Sequence, residues 1–216
     1  MHLVLGLGNP GRKYEATRHN VGFLVADRLA ERWHGACDRS QYNAHLGSLR
    51  VHDAQVVVAK PQTYMNRSGQ AATSLRGYYK VPDEQVVVVH DDVDIPCGQV
   101  RVKKGGGHGG HNGLRDLKQR LGTGDFLRVR VGVSRPPPRW DTADYVLAPW
   151  SREEQDHLPE VVDRAVDAVE GLIRDGWETT VNTFNQRARA RRASDGAGAE
   201  RDGASAPALG PDNENP

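Results

Sequence analysis

The chain has 216 residues, 37% of them hydrophobic, and its 29 Lys and Arg against 28 Asp and Glu leave a formal charge of +1. This length suits one domain with a substantial core and crowds two. A balance so near neutral excludes net charge as an argument for a nucleic-acid partner, which must rest on local clusters instead.

Strand and helix patterns then alternate along the chain. Leu3–Leu7 reads as a strand, with no signal-peptide pattern ahead of it. After His19-Asn20, the residues Val21, Val25, Leu29 and Trp33 recur every four positions and predict a helix with one apolar stripe. Gln55–Ala59 predicts a strand, and a helix follows from about Ser68 with Ala71, Leu75 and Tyr78 on one face. Gln85–His90 and Gln99–Lys103 predict strands, a helix starts near Asn112 with Leu114, Leu117 and Leu121, and Leu127–Val133 predicts a further strand. Three of these strands are β-branched runs, which suits burial on both faces. A long helix carries Leu158, Val162, Ala165, Val169 and Leu172. Its start is open between a capping box at Ser151 and Glu154 and a later start, or a kink, at Pro159. A last short helix includes Trp177, Val181 and Phe184.

This order predicts an α/β class: a single domain, residues 1–187, with one twisted sheet and helices on both faces. Ligands of such folds bind beyond the carboxyl ends of the strands. Residues 188–216 are poor in anything to bury and are predicted to be a disordered tail rich in Arg, Ala, Gly, Asp and Pro. The run Arg187, Arg189, Arg191 and Arg192 reads as a solvated tail or as an RNA contact. Cys37 and Cys97 form no CxxC pair and suggest no disulfide, which fits a reduced, cytoplasmic setting. No window is apolar for long enough to span a bilayer.

Four polar segments interrupt the pattern, each where a strand ends. Gly6-Leu7-Gly8-Asn9-Pro10-Gly11 matches GxGxxG after a strand, but Pro10 precedes the third glycine and the helical stripe begins only near Val21. A dinucleotide site needs that glycine to open the helix. The other reading is a loop carrying Asn9, Tyr14 and His19 to the strand end. Alone, His19 reads as a helix cap or a satisfied buried histidine. In Lys60–Gly69, Asn66 and Ser68 read as N-caps, or Asn66 as an amide donor to a developing oxyanion. In His90-Asp91-Asp92-Val93-Asp94 the acids read as a turn, or as the carboxylate that orients an imidazole base. A metal set from His90, Asp91, His108 and His111 lacks the helical spacing of a zincin motif. Finally, five of the six residues Gly105–Gly110 are glycine, followed by His111-Asn112 and preceded by Lys103-Lys104. That is a hinge, or a loop letting backbone approach a ligand near a helix N-terminus.

Together these segments resemble the bacterial peptidyl-tRNA hydrolase family. The resemblance is carried by GLGNPGRKYEATRHNVGF, KPQTYMNRSG, HDDVDIPCG, GGGHGGHNGLRDL, RVRVGVSRP and DYVLAP, and it covers the chain from residue 1 to about 187. It implies a monomeric α/β fold with a mixed sheet, a tRNA partner, no membrane, and hydrolysis of N-blocked aminoacyl-tRNA without metal or cofactor. It also implies a role in recycling tRNA from stalled translation. Position by position, it implies that His19 is the general base and Asp91 its orienting carboxylate. Asn9 and Asn66 would position the peptide and stabilise charge, and Asn112 would help hold substrate or water. Tyr14 and Met65 would line the cleft, His111 would sit at its rim, and Lys103 and Arg130 would grip tRNA phosphate.

The chemistry suits those residue types. A neutral imidazole with a pKa of about 6.5 takes a proton from water at neutral pH. An asparagine amide donates to the oxyanion that forms. No GxSxG elbow is present to support a covalent serine route.

Overall fold

Leu3 and Leu5 point to one side of the first strand and Val4 to the other, and all three are fully buried. A strand with no solvated face needs a layer of helices on each side. The computed structural model, which describes residues 1–185, supplies both layers. In chain order the elements are β1 (His2–Gly6), α1 (Val21–Arg32), β2 (Arg39–Gln41), β3 (Ala44–Val51), β4 (Ala54–Pro61), α2 (Ser68–Tyr79) and β5 (Val86–Asp92). They continue with β6 (Val100–Lys104), α3 (Asn112–Leu121), β7 (Leu127–Gly132), α4 (Thr142–Leu147) and α5 (Arg152–Arg174). A further helical segment spans residues 176–185, and Trp177, Val181 and Phe184 from it pack on the core.

The seven strands form one sheet in the order β2-β3-β4-β1-β5-β7-β6. The central four, β4-β1-β5-β7, are parallel, while β2, β3 and β6 join antiparallel at the edges. The expected α/β class, mixed sheet and two-sided helix cover are all present. One apolar layer joins α1 and α5 to Val4, Val58, Val87, Val89 and Val129. The other joins α2 and α3 to Leu3, Leu5, Val57, Val86 and Val88. The long helix starts at the earlier of its two candidate points. Ser151 and Glu154 form the full capping box, and Pro159 lies inside the helix.

Three elements differ from expectation. β2 is a short, wholly exposed edge strand. β3 buries Ala44 and Leu46 against the α2 layer but Leu49 and Val51 against the α1 layer. Its inward face changes halfway, so no single period of two runs through it. α4 is a single short helix started by Asp141, whose carboxylate accepts from the N–H groups of Ala143 and Asp144. No helix among the described residues is long and apolar enough to cross a membrane. The tail predicted from residue 188, with its arginines from Arg187, lies outside the described residues.

Candidate active site

The parallel strands β1, β4 and β5 all end at one rim, and the four polar segments meet there. β1 and α1 pack unusually closely. A Cβ on Gly6 would lie 2.1 Å from the Gly22 carbonyl oxygen, and one on Gly22 would lie 2.4 Å from Leu7 N. Glycine at both positions therefore lets the start of α1 touch the strand, which carries the preceding turn Arg18–Asn20 across the strand ends. Gly11, the third glycine of GxGxxG, opens a separate turn at Arg12–Tyr14 instead of the crossover helix. The dinucleotide geometry is not formed.

Asn9 and Asn20 lock these two segments together. Asn9 N donates to Asn20 Oδ1 at 2.8 Å, and Asn20 Nδ2 donates back to the Asn9 carbonyl at 2.9 Å. The Asn9 side-chain oxygen accepts from Met65 N at 2.8 Å. Its carbonyl end is thereby fixed on protein, and its amide N–H end is left for the cleft that Asn9 lines.

Asp91, the penultimate residue of β5, joins two imidazoles. His19 Nδ1 lies 2.8 Å from Asp91 Oδ1, and His111 Nε2 lies 3.1 Å from the same oxygen. A carboxylate only accepts, so His19 carries its hydrogen on Nδ1 and, when neutral, presents a bare Nε2. Burial alone would lower the His19 pKa, but the charge of Asp91 and its hydrogen bond outweigh burial, and the pKa is raised above 6.5. Burial would likewise raise Asp91, yet the two histidines hold its carboxyl well below the usual range. His90 is fully buried, its Nδ1 donates to the Asp91 carbonyl at 2.6 Å, and burial drives its pKa well below 6.5. It supports the ring of His111 edge-on, with centroids 5.0 Å apart.

These residues line a cleft of about 1230 Å³. Of the ten residues the sequence pointed to, nine line it: Asn9, His19, Met65, Asn66, Asp91, Lys103, His111, Asn112 and Arg130. Tyr14 does not. It is half-buried at the end of its turn, with Lys13 Nζ 4.7 Å above its ring. His111 also differs from the rim position expected of it, because its side chain is only 8% exposed and is bonded to Asp91. Neither Asn66 nor Ser68 caps α2. Asn66 is exposed to the cleft, and the Ser68 hydroxyl donates to the Met65 carbonyl. Asn112 begins α3, exposed, and accepts from Arg115 Nη1 at 3.1 Å.

The set His90, Asp91, His108 and His111 does not gather as ligands. Among the described residues the one candidate group is His19, Asp91 and His111, with ligand atoms within 4.8 Å of one another. There the nitrogens facing the carboxylate are donors, so hydrogen bonding already accounts for the cluster.

Three contributors escaped the sequence reading. Arg18 is buried, grips both oxygens of Glu154, and donates to the carbonyls of Tyr145, Ala148 and Pro149. It ties the His19 turn to the segment between α4 and α5. Asn20 holds Asn9. Arg128, also buried, donates to the carbonyls of Gly106 and Gly107 at 2.8 and 2.6 Å and shapes the glycine loop. The alternation Arg-Val-Arg-Val in β7 was the available signal, since it puts Arg128 and Arg130 on one face. Register adds Lys103 opposite Arg128 and Arg101 opposite Arg130, so one face of the β6–β7 edge is basic.

Comparison with known proteins gives a consistent result. The family model described as Peptidyl-tRNA hydrolase matches residues 3–192. The peptidyl-tRNA hydrolase of Nocardia farcinica is 51% identical over 187 residues, covering 85% of this chain and 95% of that protein. That of Syntrophotalea carbinolica is 47% identical, covering 87% and 98%. The crystal structure of peptidyl-tRNA hydrolase from Acinetobacter baumannii superimposes with a TM-score of 0.80 at 33% identity, covering 86% of this chain and 94% of that one.

Proposed function

The chain belongs to the peptidyl-tRNA hydrolase family and is a hydrolase of ester bonds, and from that premise we propose that it frees tRNA from peptide by general-base attack of water. The observation that carries the mechanism is the bare Nε2 of His19, whose other nitrogen is engaged by Asp91 at 2.8 Å. Water bound at Nε2 loses its proton to the imidazole as its oxygen attacks the ester carbonyl carbon. Asp91 stabilises the imidazolium that results, and that proton then passes to the departing ribose oxygen. A base of this kind contributes on the order of 10²–10⁴-fold.

The amide N–H end of Asn9 is the donor we assign to the developing oxyanion, with Asn66 as a second. Each such donor is worth on the order of 10²–10³-fold. Asparagine amides recognise peptide backbone, which every nascent chain presents, so the site need not discriminate among side chains. Met65 forms apolar wall, and Asn112 is placed to hold substrate or water. Lys103, with Arg130 beside it, meets tRNA phosphate along the basic β6–β7 face. The reading needs no metal or cofactor, because the ester is already activated and the histidines are engaged with the carboxylate. It describes a monomeric cytoplasmic enzyme, built on residues 1–187, that recycles tRNA from stalled translation.

The test is release of N-acetyl-amino acid from N-acetyl-aminoacyl-tRNA in EDTA, for the wild type and His19→Ala. Cleavage by the wild type, with free aminoacyl-tRNA spared and the variant nearly inactive, is the expected result. tRNA binding without cleavage would overturn the mechanism and leave an RNA-binding module.

A further inference from the structure

Asp91 Oδ1 receives hydrogens from two imidazoles, and the two are not equivalent. The Nε2 of His19 faces the cleft, whereas His111 has both ring nitrogens committed to protein. Its Nδ1 is the N-cap of α3 and accepts from Gly113 N at 3.1 Å and Leu114 N at 3.3 Å. An acceptor at Nδ1 means that the neutral ring carries its hydrogen on Nε2, which points at Asp91. The backbone around it is packed tightly. A Cβ at Gly113 would lie 2.5 Å from Met65 Sδ and 3.1 Å from His111 Cε1.

We propose that His111 is a positioning residue that sets the basicity of His19 through the carboxylate they share, instead of gripping substrate at the cleft rim. The helix cap selects the tautomer, the tautomer makes Nε2–H a permanent donor, and that donor takes up part of the acceptor strength of Asp91. His19 is then a base tuned by a divided carboxylate. The charged and titratable groups around the pair are Asp91 and His90 on β5, the two histidines themselves, and Arg128 on β7. Arg128 directs its guanidinium to the glycine-loop carbonyls. The inference rests on His19 as the base.

Two substitutions separate the two nitrogens of His111. In His111→Asn the short amide overlays Nδ1, so it keeps the cap and loses the donor to Asp91. In His111→Gln the longer amide overlays Nε2 and restores that donor. The measurement is an NMR titration of the His19 ring, alongside the pH dependence of kcat/KM on N-acetyl-aminoacyl-tRNA. In His111→Asn the His19 pKa is expected to rise by about half a unit or more, since Asp91 then serves His19 alone. The acidic limb of kcat/KM should rise with it, KM should change by less than about threefold, and His111→Gln should return both pKa readings toward wild type. An unmoved His19 titration in His111→Asn, or a raised KM with the limb in place, would overturn the proposal in favour of a substrate contact. The NMR reading does not require turnover, so failure of the hydrolase mechanism and failure of this tuning are told apart.

Discussion

The rim of β1 and β5 and the basic face of β6 and β7 lie in the same cleft but are built on opposite plans. At the rim, Asn9, Asn20, His19, Asp91 and His111 are largely buried, and the bonds among them leave few alternatives. On the basic face Lys103 is exposed, and Arg130 is paired with Asp92 at 2.8 Å. The first arrangement is organised before substrate arrives, which is what electrostatic catalysis requires. Around the buried Arg128, the second offers solvated charge at Lys103 and exchangeable charge at Arg130, which suits a phosphate backbone of no fixed sequence. In the proposed mechanism, rigidity is concentrated where the proton would move, and charge is spread where tRNA phosphate would lie.

If that division holds, substitutions should sort by region. The largest effect is expected from Asp91→Asn, with kcat/KM falling on the order of 10²–10⁴-fold while tRNA binding is retained. It carries a pH signature of definite sign. In the wild type burial of His19 is outweighed by the Asp91 charge, which raises its pKa above 6.5, so activity is expected to climb with pH through a value above 6.5. With the Asp91 charge gone, burial is the dominant influence left on His19, and the limb should move to lower pH. A limb that stays in place or moves up would contradict the assignment of Asp91.

Next comes Arg18→Ala, which leaves the partly exposed Glu154 and three backbone carbonyls without their buried donor and should lower unfolding stability by about 1–3 kcal/mol. Denaturant midpoints measure this, and a loss below about 1 kcal/mol would mean that the clamp on the His19 turn is dispensable. On the basic face, Lys103→Ala should raise KM several-fold with kcat nearly unchanged. It should also flatten the plot of log affinity against log salt by about one unit of slope. A kcat effect there would erase the distinction between the regions. The smallest change is expected for Arg135→Ala, whose pair with Asp94 is exposed on both sides, with stability within about 0.5 kcal/mol of wild type.

Much of the molecule was open to reading from residues alone. The strands β1, β4, β5, β6 and β7 and the helices α1, α2, α3 and α5 announce themselves, because apolar periodicity and caps are local. The motifs around Asn9, His19, Asn66, Asp91 and His111, each breaking a strand pattern with polar residues, named segments that the fold brings to one cleft. The inward face of β3 and the clamp at Arg18 were decided only in three dimensions. So was the sharing of one Asp91 oxygen between His19 and His111. The reason is physical. Periodicity records which way a side chain points from its own element, whereas the side-chain hydrogen bonds of Asp91 with His111 and of Arg18 with Glu154 join partners 20 and 136 residues apart along the chain.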